Sequence, residues 1–316
     1  MRAAGVARIG AAVGPLELPE PASPQAGQVL IAARACGVGN WDEIVRTGGW
    51  DTGTRPPMAL GVEAAGLIIA AGAGVSHVRP GDTVTTHAIP AGTWAERFIA
   101  AADQVSAVPA GVPMAAAAAF PVPALTADQA LAAVAVEPGE TLLVHGAGGV
   151  TGSLIVQLAA HLGARVIATA SGASAARARA MGAAEVLDYH NPGWPERVRA
   201  LAGAGADAAV NAARAGAAAA VRAVRDGGRL ATITSDLPPA GRGIMLADIV
   251  VEPDGARLGP LTELLAQGAI TVTTLPAFPF DAAAAALARV RQGTHGMAVV
   301  LDPGRPGPAR ERARAG

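Results

Sequence analysis

The sequence predicts an α/β protein in two parts: a doubly wound parallel sheet and a second, mostly β domain. Three observations carry that prediction. Strand-like runs without helical patterns between them fill roughly the first hundred residues. After about Pro123, strands and helices alternate. Within the alternating part, a glycine-rich loop joins a buried strand to a helix.

The elements follow in order. Val29–Arg34, Gly66–Gly72 and Asp82–His87 read as strands, and Pro80-Gly81-Asp82 is a turn between two of them. Thr126–Val134 reads as a helix and Glu137–Glu140 as a turn, leading into the buried strand Thr141–His145. A helix is expected over about Gly152–Leu162, a second strand over Arg165–Ala170, a helix over Ala175–Met181 and a third strand over Glu185–Asp188. Asp207–Asn211 and Arg229–Thr234 continue the alternation, which implies parallel strands joined by crossover helices. Alanine runs such as Ala282–Ala286 read as helix, and Pro303–Gly316, rich in Pro, Gly and Arg, as a mobile tail.

Composition narrows the function. With 316 residues, 51% of them hydrophobic, the chain is long enough for two domains and a large core. A net charge of −1 gives no footprint for nucleic acid or an acidic membrane surface. Met1–Gly10 lacks a signal-peptide pattern, and the most apolar stretch, Met114–Leu125, is too short to span a bilayer and contains two prolines. With the single cysteine Cys36, no disulfide or thiolate zinc cage forms within one chain, and a cytoplasmic home is expected. Every basic side chain apart from histidine is arginine; the absence of lysine excludes Schiff-base chemistry, a phosphate-loop lysine and a Tyr-Lys catalytic dyad.

The central motif is His145-Gly146-Ala147-Gly148-Gly149-Val150-Thr151-Gly152. Its glycines permit a tight turn and close approach of a pyrophosphate, and the helix that follows offers unpaired N–H groups and the positive end of its dipole. The alternative is a tight turn made only for packing. An NAD site usually ends its second strand in a carboxylate that holds the ribose. Here the chain reads Thr169-Ala-Ser171-Gly-Ala-Ser174, with Arg177 and Arg179 close behind, which favours NADP(H). Ser174 as a helix cap and both arginines turned to solvent are the competing readings. Asn211, and Thr234 with Ser235, end later strands at the carboxyl edge where cofactors rest.

These residues resemble the medium-chain dehydrogenase/reductase superfamily, and within it the zinc-free quinone oxidoreductase (zeta-crystallin-like) branch. The likeness rests on Ala35-Cys-Gly-Val, Arg46-Thr-Gly, Gly61-Val-Glu-Ala-Ala-Gly66, Pro80-Gly-Asp-Thr-Val, Gly92-Thr-Trp-Ala-Glu96, Leu125-Thr-Ala, the glycine loop, Met181–Tyr189, Asp226–Leu230 and Pro253–Leu258. It covers the chain to about Asp302. The resemblance implies a Rossmann domain over 123–255, a GroES-like substrate domain over 1–122 and 256–316, and a homodimer.

Zinc relatives carry ligands where this chain has Gly39 and Val62, which cannot bind zinc, so a Lewis-acid alcohol oxidation is not expected. Cys36 lies off the ligand position and reads as a small buried hydrophobe. By resemblance, Asn40, Trp41 and Asp42 line the nicotinamide cleft and form, with His87, the catalytic set. Asn40 is a substrate hydrogen-bonder or a turn residue; Trp41 packs or stacks; Asp42 contacts substrate or caps a helix. His87 is a proton donor, or else an exposed or merely hydrogen-bonded histidine. Thr126 matches a threonine near the nicotinamide phosphate, and Tyr189 one near the adenosine. Against the pattern stand Ala173 and Met297, where relatives carry phosphate-holding basic residues, Asp128 in place of an aromatic, and Ile44 in place of a tyrosine.

The expected function is an NADPH-dependent reductase of quinones or α,β-unsaturated carbonyls, acting on small molecules, with no nucleic-acid or membrane partner. The alternatives are an enoyl reductase on a carrier-bound intermediate and a non-catalytic NADPH-binding sensor or structural protein.

Overall fold

The computed structural model describes residues 1–304, so the predicted tail lies outside the described residues from position 305 on. The chain forms two compact units. One comprises Met1–Val122, Pro253–Gly268 and the described residues from Val272; the other comprises Pro123–Glu252 and Ala269–Thr271.

In the first unit the chain runs through β1 (Arg2–Val6), β2 (Gly14–Glu17), β3 (Gln28–Val38), α1 (Asn40–Thr47), β4 (Met58–Ala59), β5 (Glu63–Ala71), β6 (Thr83–His87), β7 (Arg97–Ala101), β8 (Val105–Ala107) and α2 (Met114–Ala118). Burial alternates along the first part of β3 and becomes continuous from Ala35 to Val38, where the strand is covered on both faces. Helix α1 was not legible in the sequence. It is eight residues long and is flanked by Gly39 at its N-cap and Gly48 at its C-cap, whose φ of 82° suits glycine.

The second unit opens with α3 (Pro121–Val134), which begins five residues before the helix predicted from Thr126. Its prolines are tolerated because they sit in the first turn, where a backbone N–H would have no helical partner. Then follow β9 (Thr141–His145), α4 (Val150–His161), β10 (Arg165–Thr169), α5 (Ala173–Ala180), β11 (Glu185–Leu187), α6 (Trp194–Leu201), β12 (Ala206–Asn211), α7 (Ala217–Ala223), β13 (Val224–Thr232) and β14 (Met245–Asp248). The six strands are parallel in the order β11-β10-β9-β12-β13-β14. That is the doubly wound arrangement, and its order reverses beside β9. Leu143, Ile167, Trp194, Val198 and Leu230 fill its core.

The chain then returns to the first unit through α8 (Gly255–Ala266), β15 (Phe278–Pro279), α9 (Ala283–Arg291) and β16 (Val299–Asp302). β16 pairs with β3, completing the sheet β15-β16-β3-β5-β6-β8, with β7 also paired to β3. Trp94, Ile31, Leu60 and Ile68 are fully buried in this unit. Among the described residues, no helix is long and apolar enough to cross a membrane.

Candidate active site

The glycine loop lies at the carboxyl end of β9, beside the point where the sheet order reverses. All five residues of β9 are buried, which fixes where the loop begins. Gly146 has φ of 93°, and a Cβ there would fall 2.8 Å from Ala212 C and Ala213 N. A Cβ on Gly152 would fall 2.2 Å from the Gly146 carbonyl oxygen, whereas one on Gly149 would meet nothing closer than 3.8 Å. The loop is therefore packed from below and open at Gly149.

The loop's donors divide into two sets. Gly146 N–H donates to Thr169 Oγ1 (3.1 Å), Ala147 N–H to Thr169 O (3.1 Å) and Gly149 N–H to Gly146 O (3.3 Å). Val150, Thr151 and Gly152 open α4, where first-turn N–H groups have no intrahelical acceptor. They stand at the positive end of the helix dipole, a donor set suited to an anion.

On the α5 side, Ser174 is the second residue of the helix, whose N-cap is Gly172, so the capping role does not apply. Arg177 turns inward: its Nη2 donates to Gly148 O at 2.9 Å and to Ser174 Oγ at 3.3 Å. Arg179 stays exposed. Ser171 is half-buried two residues past the end of the second strand, where no carboxylate stands. Tyr189 is 46% exposed and lies against the His190 ring at 4.2 Å. Thr126 is buried within α3.

A polar network closes the strand ends nearby. Asn211 is fully buried; its Nδ2 donates to Thr232 Oγ1 and Thr234 Oγ1, both at 3.0 Å, and to Asp236 Oδ1 at 3.1 Å. Its Oδ1 accepts from Ala213 N–H at 3.2 Å. Asp236 also accepts from Thr232 (2.5 Å), Thr234 (2.7 Å) and Ala217 N–H (3.1 Å). Burial pushes the Asp236 carboxyl up, but hydrogen bonds from Thr232, Thr234, Ala217 and Asn211 outweigh it and hold the group below its usual range. Asn211 and Thr234 thus sit at the predicted edge with their polar atoms engaged in protein. His145 stacks on Trp194 with centroids 4.6 Å apart, and its Nδ1 lies 2.7 Å from Thr169 Oγ1. Burial lowers its pKa to about 4, against the opposing pull of Asp236.

The first unit gathers the other candidates at one end of its sheet. Asn40 is exposed and Trp41 half-buried at the start of α1. Asp42 is fully buried, and its Oδ2 accepts from Gly39 N–H at 2.8 Å, the back-reaching arm of a capping box whose other arm a glycine N-cap cannot supply. Gly37, Glu63 and His87 lie in one row across β3, β5 and β6: Glu63 pairs with His87, and Cys36 with Ala64 one position away. Glu63 leans over Gly37, where a Cβ would fall 2.3 Å from Oε1, and its Oε2 accepts from Val122 N–H at 2.9 Å. No ion pair to Asp42 or Glu63 occurs among the described residues. Burial pushes Asp42 up to about 8 and Glu63 well above its normal value, with the Asp42 charge adding to the rise at Glu63.

His87 is neither exposed nor hydrogen-bonded, contrary to both bland readings of it. It is fully buried with neither ring nitrogen partnered among the described residues, and burial lowers its pKa to about 4. Trp41 Nε1 is likewise buried without a partner. Cys36 is buried, its Sγ donating to Thr93 O at 3.0 Å, and burial pushes the thiol above its ordinary range. At the zinc-ligand positions of the relatives, a Cβ on Gly39 would fall 2.2 Å from the Trp41 ring, and Val62 is fully buried in the core.

Sequence reasoning gave no role to Asp236, Glu63, Thr169 or Trp194. The only available signals were the carboxylate that follows Thr234-Ser235 and the glutamate at the head of a strand.

The fold and the glycine loop define a dinucleotide-dependent dehydrogenase or reductase class, and the comparisons agree. Residues 25–110 match the alcohol dehydrogenase GroES-like domain, and residues 150–251 match the zinc-binding dehydrogenase family. The chain belongs to the medium-chain dehydrogenase/reductase superfamily. It is 34% identical over 300 residues to the pikromycin polyketide synthase component PikAII of Streptomyces venezuelae, covering 90% of this chain and 8% of that protein. It is 38% identical over 148 residues to the quinone oxidoreductase of Lama guanicoe, covering 46% of this chain and 45% of the relative. Both matches span less than two thirds of the relative's length. A mycobacterial protein, Rv1454c, solved in complex with NADPH, shares 30% identity and a TM-score of 0.83, over 96% of this chain and 100% of that one.

Proposed function

We propose that the chain is a zinc-independent, NADPH-dependent reductase that delivers a hydride to a quinone or to an α,β-unsaturated carbonyl compound. One observation carries the reading: a glycine loop ends at a helix start with free N–H groups, and Ser171, not a carboxylate, stands just past the second strand. The residues fit the cofactor. Gly146, Ala147, Gly148, Gly149, Val150, Thr151 and Gly152 would hold the pyrophosphate, and Ser171 and Ser174 the additional phosphate. Tyr189 would lie along the adenosine, and Thr126, Asn211 and Thr234 would shape the nicotinamide end, the last two through Asp236.

When bound, the nicotinamide supplies the hydride. Asn40 and Trp41, which reach the surface of their unit, orient the acceptor. Asp42 and His87 are fully buried and act by position: Asp42 fixes the start of α1 through Gly39 N–H. Water then protonates the reduced acceptor, because no titratable side chain of this set is exposed to do so. Gly39 and Val62 offer no metal ligand, so the acceptor must already be activated, as quinones and enones are. We further propose a cytoplasmic homodimer acting on small molecules.

The similarity to a polyketide synthase component across 90% of the chain favours a second reading, an enoyl reductase acting on a carrier-bound thioester. Fluorescence titration with NADPH and NADH, followed by NADPH oxidation with quinones, free enones and enoyl thioesters, tests both. Turnover of enoyl thioesters alone supports the second reading. Tight NADH binding with no response to NADPH refutes the cofactor assignment.

A further inference from the structure

We propose that Arg177 is a positioning residue that braces the middle of the glycine loop and acts on both nicotinamide nucleotides alike, not a clamp for the phosphate that distinguishes NADPH. The inference rests on the nucleotide reading given above. Three contacts define the brace. Arg177 Nη2 donates to Gly148 O at 2.9 Å and to Ser174 Oγ at 3.3 Å. A Cβ on Gly148 would lie 3.3 Å from Ser174 Cβ, so the loop rests against the first turn of α5. Gly149 N–H, the other end of the same peptide unit, donates to Gly146 O at 3.3 Å.

The peptide between Gly148 and Gly149 is therefore pinned at its carbonyl by Arg177 and at its N–H by the loop itself. That restraint falls where the chain has least of its own, because two adjacent glycines leave the backbone free to rotate. If the peptide turned over, the Gly148 carbonyl would point toward the space that the first-turn N–H groups prepare for an anion. A charge-assisted bond to that carbonyl keeps it directed at α5 instead. The pyrophosphate that the loop would hold is common to NADH and NADPH, so loosening the brace weakens both.

The test is Arg177→Ala in the full chain. Dissociation constants for NADPH and NADH come from fluorescence titration, and exchange of the Gly148–Gly152 amides is measured by hydrogen–deuterium exchange without nucleotide. Arg177 is partly exposed at the protein surface, so the variant is expected to fold, which circular dichroism and the melting temperature verify. The expected result is a loss of about tenfold for each nucleotide, a selectivity ratio that stays within about twofold of wild type and faster amide exchange in the loop. Loss of NADPH affinity with NADH untouched makes Arg177 a phosphate clamp and overturns the proposal. Unchanged affinities, or weakened affinities with unaltered loop exchange, overturn it as well. If wild type binds neither nucleotide, the nucleotide reading falls first and the brace has no ligand to serve.

Discussion

Replacing Asp42 by Asn should change how stability depends on pH. Asp42 is fully buried, its Oδ2 accepts from Gly39 N–H, and burial, outweighing the backbone hydrogen bonds from Gly39 and Gly61, raises its pKa from 3.8 to about 8. At pH 7 the carboxyl is neutral in the folded chain and ionised in the unfolded chain, so the folded state holds the extra proton. Stability is therefore unaffected by this group below pH 3.8, falls as pH rises toward 8, and levels off above that. Asparagine keeps an acceptor for Gly39 and does not titrate. The useful window is pH 6 to 7.5: His87 and His145, lowered to about 4, cost stability as pH falls from 6.5 toward 4, an opposite effect that both proteins share and that cancels in the difference between them. Across that window the wild type should lose roughly 2 kcal/mol relative to Asp42→Asn. Urea unfolding midpoints for both proteins, taken every half pH unit, measure the difference directly. Parallel curves would refute the claim that Asp42 is a neutral acid in the folded chain. Glu63 is raised in the same direction, chiefly by burial, which the substitution leaves in place, so it adds a slope to both proteins even though the Asp42 charge no longer contributes in the variant.

Gly152→Ala places a methyl 2.2 Å from the Gly146 carbonyl oxygen; nucleotide affinity in a fluorescence titration should fall by about tenfold or more. Gly37→Ala drives a methyl to 2.3 Å from Glu63 Oε1 and should cost about 1–3 kcal/mol of unfolding free energy. A melting temperature equal to wild type would mean that Glu63 does not lean over Gly37. Asp236→Ala removes the acceptor shared by Asn211, Thr232, Thr234 and Ala217; a loss of about 2 kcal/mol in chemical denaturation is expected.

Much of the fold was legible because its signals are local. A buried apolar run followed by glycines marks β9 and its loop, and β10 and β12 end in the polar residues Thr169 and Asn211, each with a helix after it. The missing elements have physical reasons. Helix α1 begins with a glycine cap and has only Asp42 and Val45 buried, so no apolar stripe announces it. Prolines concealed the start of α3 because a proline early in a helix and one that ends a helix look alike in sequence. Strands β1, β2 and β4 are short and make their own small sheet, where alternation has too few residues to register.

The site was legible in position and not in partnership. Asn211 was placed at the carboxyl edge of the sheet, and it is there, yet its amide is consumed by Thr232, Thr234 and an aspartate 25 residues away. Nothing local in the sequence joins those groups, because they meet only once β12 and β13 pair. The two arginines of α5 show the opposite case, in which the sequence held more than was taken from it. Ser174 and Arg177 are three residues apart and share a helix face, whereas Arg179 lies about 200° around from Arg177. At most one of the two arginines can face the loop that Ser174 touches, and helical geometry alone selects Arg177. What helical geometry cannot supply is the acceptor. That Arg177 meets the Gly148 carbonyl depends on α5 standing beside the loop, which the parallel pairing of β9 with β10 brings about.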